Sequence, residues 1–101
     1  MVYAVDFDGT LCVNAFPEIG APRHEIINFV KGRRRDGDKI ILWTCRSGWA
    51  LESAIRWCMR HGLEFDAVND NLAENIASFN NNSRKVSADF YIDDRNLSLE
   101  V

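Results

Sequence analysis

The sequence predicts a three-layer α/β fold in which helices cover both faces of a doubly wound parallel sheet. Strand-like apolar runs alternate with helix-like segments along the chain, an order typical of βαβ units. The first run, Val2–Val5, is apolar throughout, as are strands that are buried on both faces. With 101 residues the chain has the length of one domain, which we assign to residues 1–101.

The first third of the chain is predicted to hold a strand, a connection and a helix. Val2–Val5 is expected to be the central strand of the sheet. Turn residues recur over 9–20, which indicates a loop or a small hairpin. A helix is predicted over 22–35, because Pro22 suits the first helical position and apolar residues follow at helical spacing.

The rest of the chain repeats the alternation. A second buried strand is predicted over 39–44, followed by a helix that Ser47 can cap and Gly62 can end. The remaining elements are predicted as a short strand at 65–68, a weak helix at 72–79, a strand at 88–92 and a short edge strand at 97–101.

Composition is that of an ordinary globular protein, with 47% apolar and 27% charged residues. No apolar run approaches the roughly 20 residues of a membrane span, and no signal-peptide pattern precedes the first strand. We therefore expect no membrane partner.

The cysteines and the net charge bear on the cellular location of the protein and on its binding partners. The three cysteines are widely spaced and form no CxxC pair, so neither a disulfide framework nor a zinc site is indicated, and a cytoplasmic location is expected. The net charge of −3 argues against general nucleic-acid binding. A basic run at 31–35 falls where a helix should end, where cations complement the helix dipole.

Acidic and hydroxyl side chains follow the predicted strands. Asp6 and Asp8 come directly after the first strand, Thr44 ends the second, and Asp93 and Asp94 follow the last. Right-handed crossovers bring the carboxyl ends of parallel strands to one edge, where ligands of such sheets bind. Residues i and i+2 of an extended strand end point the same way, so the first two carboxylates are expected to face one reacting centre.

The first motif, Asp-Phe-Asp-Gly-Thr-Leu at residues 6–11, resembles motif one of the haloacid dehalogenase (HAD) superfamily. Thr44 resembles its second motif, Lys85 its third, and the Asp93-Asp94 pair its fourth. The resemblance covers nearly the whole chain and implies a Rossmann-like HAD hydrolase core. The connections are too short for a cap domain, so a capless member is expected.

That resemblance implies a phosphomonoester phosphatase that forms an aspartyl-phosphate. Asp6 would be the nucleophile and Asp8 the general acid and base. Thr44 and Lys85 would bind and neutralise the phosphate, and main-chain amides, including that of Cys45, would complete the cradle.

Four carboxylates facing a phosphate require a compensating cation, and hard oxygen ligands suit Mg²⁺. The predicted metal ligands are Asp6, Asp8 through its main-chain carbonyl, Asp93 and Asp94. Which of the last two binds directly stays open.

Two further positions each have two interpretations. Arg46 either holds a second anionic group of the substrate or is a surface arginine at a helix start. The run 69–71 either lines the rim of the pocket or forms a turn.

The substrate class stays open among nucleotides, nucleic-acid 3′-phosphates, sugar phosphates and phosphoproteins. An alternative function is a non-catalytic phosphate-binding or regulatory module on the same fold. An exposed last strand favours self-association, so either a homodimer or pairing by the tail at 97–101 is expected.

Overall fold

A four-stranded parallel sheet lies at the centre of the molecule in the computed structural model, which describes residues 1–83 and 85–96. The edge strand predicted at 97–101 lies outside the described residues. In chain order the elements are β1 (Val2–Val5), β2 (Cys12–Ala15), β3 (Glu18–Pro22), α1 (His24–Arg35), β4 (Lys39–Leu42), α2 (Gly48–Arg60), β5 (Ala67–Val68), α3 (Ala73–Phe79) and β6 (Phe90–Ile92).

The strands of this sheet are ordered β5-β4-β1-β6, and each neighbouring pair is parallel. The prediction of β1 as an interior strand is therefore confirmed. Val5 is in register with Leu42 on one side and with Ile92 on the other. The carboxyl ends of three strands consequently meet at one level.

Apolar side chains cover both faces of β1, as its continuous apolar sequence predicts. Tyr3 and Val5 belong to the larger cluster, which buried residues of α1 and α2 complete. Ala4 belongs to a smaller cluster on the other face, with Leu72 and Val86. An α/β fold with a parallel sheet and packed helices is thus confirmed.

The connection after the first motif is a hairpin, the second of the two predicted forms. β2 and β3 pair antiparallel, and Pro22 ends β3 opposite Cys12. The prediction of Pro22 as the first helical residue is therefore wrong, because its cross-strand pairing holds it in the hairpin. α1 begins two residues later, at His24.

The ends of α2 lie where the sequence predicts them. Ser47 occupies the N-cap position, but its side chain makes no capping hydrogen bond within the described part of the chain, and Gly62 adopts a left-handed φ of 78° just after the helix. In the last turn of α1, Arg33 pairs with Asp36 at 2.6 Å, which fits a solvated basic face. Of the residues described, no helix has both the length and the apolar composition that a membrane crossing requires.

Candidate functional site

The candidate site lies where β1 and β6 end side by side. Asp6 follows β1, and its main-chain N–H donates to the carbonyl of Ile92 at 3.0 Å. Asp93 and Asp94 come immediately after that residue. The sheet extends from β1 through β4 to β5 in one direction and to β6 in the other, and ligands of open α/β sheets bind at such a reversal.

Three carboxylates form a cluster at this point. One oxygen each of Asp6, Asp93 and Asp94 lie within 4.8 Å of one another. Asp6 is half-buried, whereas the other two are exposed. The pKa of Asp6 is raised to about 6, chiefly by burial and then by the charges of Asp93, Asp94 and Asp8, while a hydrogen bond from the Phe7 main chain lowers it. The cluster repels its own charge and is suited to a cation.

Gly9 allows Asp94 to approach the first motif. Its φ is 87°, in the left-handed region that glycine favours. A Cβ at this position would overlap the carboxylate of Asp94. The glycine of the first motif is therefore needed both for its backbone conformation and for the space that Asp94 occupies.

Asp8 stands apart from this cluster because it is paired with Arg46. The guanidinium Nε donates to Oδ2 of Asp8 at 2.8 Å, and Nη2 donates to Oδ1 at 2.8 Å. Hydrogen bonding to Asp8 raises the pKa of Arg46 above its ordinary value. The ion pair is thus bidentate, the geometry that guanidinium and carboxylate favour.

The other N–H groups of Arg46 donate to main-chain carbonyls. Nη1 donates to Pro17 and Ala50, each at 3.2 Å, and Nη2 donates to Glu18 at 2.9 Å. With the two bonds to Asp8, all five guanidinium N–H groups are engaged. In this geometry Arg46 has none left for a second anionic group of a substrate.

Burial decides the other interpretation of Arg46. The residue is only 3% exposed, and its guanidinium lies 5.0 Å from the ring centroids of both Phe7 and Phe16. The prediction of a surface arginine is therefore wrong. Its partner Asp8 is 38 residues away in sequence, which explains why local pattern did not reveal the pair.

Thr44 is held by two hydrogen bonds, and within residues 1–83 and 85–96 its hydroxyl donates to no group. Its Oγ1 accepts the main-chain N–H of Arg46 at 3.1 Å, and its own N–H donates to the side chain of Asn69 at 2.7 Å. Asn69 holds a left-handed φ of 51°, which asparagine tolerates better than most residues. Of the two interpretations of 69–71, the structure therefore favours a turn that supports Thr44 from outside the pocket.

An open cleft of about 610 Å³ joins these groups. The lining residues are Asp6, Asp8, Asn14, Phe16, Trp43, Thr44, Cys45, Arg46, Asp93, Asp94 and Arg95. The structure thus brings together every predicted site residue except Lys85. It adds side chains that the sequence analysis did not single out, among them Arg95, whose only signal was its place beside the acidic pair.

Lys85 does not line the cleft. Its side chain is exposed, and its ammonium lies 5.9 Å from the centroid of the Tyr91 ring. The phosphate-binding role that the family resemblance implied for Lys85 therefore stays a prediction.

Fold and site together define an α/β domain with an acidic cleft at the carboxyl edge of its parallel sheet. A similar solved structure is that of a conserved protein from Bacteroides thetaiotaomicron. It is 41% identical, the match covers 96% of this chain and 78% of that one, and the TM-score is 0.84. The chain belongs to the same family as this Bacteroides protein. No protein-family model and no curated protein matches the chain.

Proposed function

We propose that this chain is a capless phosphohydrolase of the HAD superfamily, with a three-layer doubly wound core, that cleaves phosphomonoesters with the help of Mg²⁺. The observation that carries the proposal is the convergence of Asp6 and Asp8 with Thr44 and the Asp93-Asp94 pair on one cleft. These side chains come from three segments of the sequence, and each has a role in phosphoryl transfer.

The acidic cluster has the donors that Mg²⁺ prefers. Asp6, Asp93 and Asp94 offer hard carboxylate oxygens within 4.8 Å of one another. Burial and, after it, the charges of Asp93 and Asp94 raise the pKa of Asp6, and a divalent cation would offset both the burial of the Asp6 charge and the mutual repulsion. When bound, Mg²⁺ would polarise a phosphate oxygen and offset the charge of the ester.

Asp6 and Asp8 would divide the reaction into two displacements. A carboxylate oxygen of Asp6 attacks phosphorus, the bond to the ester oxygen breaks, and that oxygen takes a proton from Asp8. Water then attacks the phosphoryl group, returns a proton to Asp8 and releases phosphate from Asp6. The two halves together restore both side chains.

The phosphate would be held by neutral and positive groups of the same cleft. The hydroxyl of Thr44 accepts the N–H of Arg46 and keeps its own O–H, with which it would donate to a phosphate oxygen. Arg95 lines the cleft and adds a positive charge beside Asp93 and Asp94. Lys85 stays a predicted phosphate ligand that would have to leave its place over Tyr91.

Phosphate release from a panel of esters, with Mg²⁺ and with a chelator, tests the proposal. The informative variant is Asp6→Asn, and Asp36→Asn at the opposite, amino-terminal edge of the sheet is the matched control. We expect Mg²⁺-dependent release that Asp6→Asn lowers at least ~10³-fold, as loss of a nucleophile does. Undiminished release by Asp6→Asn would contradict the mechanism.

One observation favours a second candidate, a module that binds phosphate without turnover. Both carboxylate oxygens of Asp8 already accept hydrogen bonds from Arg46, so the group proposed to pass a proton to the ester is engaged by the protein itself. Mg²⁺-dependent binding of a phosphate mimic, with no release from any ester, would support this candidate over the hydrolase.

A further inference from the structure

We infer that Arg46 is a positioning residue that acts on the reaction through Asp8 and not through the substrate. The inference rests on the proposed phosphohydrolase function and assigns a role to the group behind the acid-base carboxylate. It starts from the observation that a buried arginine directs two N–H groups to Asp8 and three to the main chain.

The three main-chain bonds fix where the guanidinium stands. Pro17 and Glu18 belong to the turn and second strand of the hairpin, and Ala50 lies in the first turn of α2. Their carbonyls accept from Nη1 and Nη2 at 2.9 to 3.2 Å. Arg46 is therefore held by two separate parts of the fold before it reaches Asp8.

Two aromatic rings contact the guanidinium of Arg46. Phe7 and Phe16 each place a ring centroid 5.0 Å from its central carbon, a distance at which a cation is attracted to a ring face. Phe7 is fully buried and is the residue between Asp6 and Asp8. The first motif therefore contacts Arg46 through Phe7 as well as through Asp8.

A carboxylate that accepts both bonds of a fixed guanidinium loses its rotational freedom. Asp8 has a side chain 18% exposed, so it still reaches the cleft. General acid-base catalysis requires its partner to lie within hydrogen-bond reach, and a misplacement of about 1 Å can cost on the order of a hundredfold. The five bonds of Arg46 supply that precision.

This role differs in kind from binding the substrate. Substituting a residue that binds substrate changes KM whether or not Asp8 is present. Substituting a residue that positions Asp8 lowers the rate only when Asp8 is present and transfers the proton. Two substitutions at interacting sites then have non-additive effects. The difference can be measured.

The first experiment compares Arg46→Lys, Asp8→Asn and the double variant on two esters in the presence of Mg²⁺. An alkyl phosphate has a leaving group that needs a proton, whereas p-nitrophenyl phosphate has one that does not. We expect Arg46→Lys to lower kcat/KM for the alkyl ester roughly 10- to 100-fold, within the general-acid contribution, and that for the nitrophenyl ester by less than about threefold.

The double variant separates the two roles. If Arg46 acts through Asp8, Arg46→Lys lowers kcat/KM for the alkyl ester by less than about threefold once Asp8 is Asn. Equal losses on both esters, or an undiminished loss in the Asp8→Asn background, would overturn the inference. Arg56→Lys is the control, since Arg56 is an exposed arginine of α2 that pairs with Glu52 at 3.8 Å.

A measurement on the unmodified protein covers the case in which Arg46→Lys does not fold. The Nε–H of Arg46 should give a protected ¹⁵N NMR signal that stays in place when Mg²⁺ and inorganic phosphate are added. A large shift of that signal on phosphate addition would show direct ligand contact and overturn the inference. If no ester is hydrolysed by the unmodified protein, the proposed function fails, while this measurement still reports on the role of Arg46.

Discussion

Replacing Asp6 by Asn should stabilise the metal-free protein at neutral pH. In the folded state, burial and three neighbouring carboxylates raise the pKa of Asp6 from its ordinary 3.8 to about 6. The folded protein therefore binds the proton of Asp6 more tightly than the unfolded chain does. The stability that this preference contributes is fully present below pH 3.8 and is lost as the pH rises through 6.

The size of the effect follows from that difference. One pH unit corresponds to about 1.4 kcal/mol, so the limit at pH 8 is about 3 kcal/mol. Asp6 is only half-buried, and solvent screening reduces the charge-charge contribution. We therefore expect Asp6→Asn to raise the free energy of unfolding by about 1–2 kcal/mol at pH 7.5.

Urea denaturation in EDTA, followed from pH 4 to pH 8, measures this directly. The difference in unfolding free energy between Asp6→Asn and the unmodified protein should grow between about pH 4 and pH 6, the window set by the unfolded and folded pKa values of Asp6, and then level off. Asp36→Asn, an exposed position at the end of α1, should show no such growth. A variant that is no more stable than the unmodified protein at pH 7.5 would refute the reasoning, as would a difference that is constant over this range.

Three further outcomes are expected from the geometry of the cleft and its support. Gly9→Ala should destabilise the protein by about 1–3 kcal/mol in urea denaturation, because alanine strains the left-handed backbone. It should also weaken Mg²⁺ binding measured by calorimetry, because its Cβ displaces Asp94. Unchanged Mg²⁺ affinity would contradict this second expectation. Thr10→Val should raise the melting temperature by a few degrees, since among residues 1–83 and 85–96 the Thr10 hydroxyl is buried without a hydrogen-bond partner; a fall of more than about 4 °C would show that the hydroxyl is needed. Asn69→Gly keeps the left-handed φ but removes the acceptor for the Thr44 N–H. It should lower phosphate release while costing no more than about 1.5 kcal/mol of stability. Release equal to that of the unmodified protein would show that this hydrogen bond is not needed for activity.

The parts of the fold that local sequence determines were predictable. The apolar run of β1 identified an interior strand, and parallel topology alone placed Asp6 beside Asp93 and Asp94. Parallel strands run in the same direction and end at the same edge of the sheet. The fold class was therefore enough to predict that residues following these strands lie close together. The correct predictions of position concern residues that the course of the backbone alone places at the site.

The errors concern groups whose position depends on distant partners. Arg46 is buried because its acceptors lie in three other segments of the chain, the nearest of them in the next helix. Pro22 belongs to a strand because Cys12 pairs with it, not because of its own propensity. The role of Lys85 is not among these errors and stays a prediction; the side chain is long and exposed, so its sequence position does not determine where its ammonium lies.

Two of the three members of the acidic cluster, Asp93 and Asp94, directly follow β6. β6 is shorter than β4, the other strand that β1 pairs with, and within residues 1–83 and 85–96 it lies at an edge of the sheet. Edge strands open more readily than interior ones, since fewer hydrogen bonds hold them. A cation that links Asp93 and Asp94 to Asp6 would therefore also fasten β6 to β1, and amide exchange along β6 would slow when it binds. Substitutions that weaken the pairing of β6 with β1 would lower cation affinity without changing a ligand. The cation affinity of the site and the stability of this strand pairing are therefore thermodynamically linked.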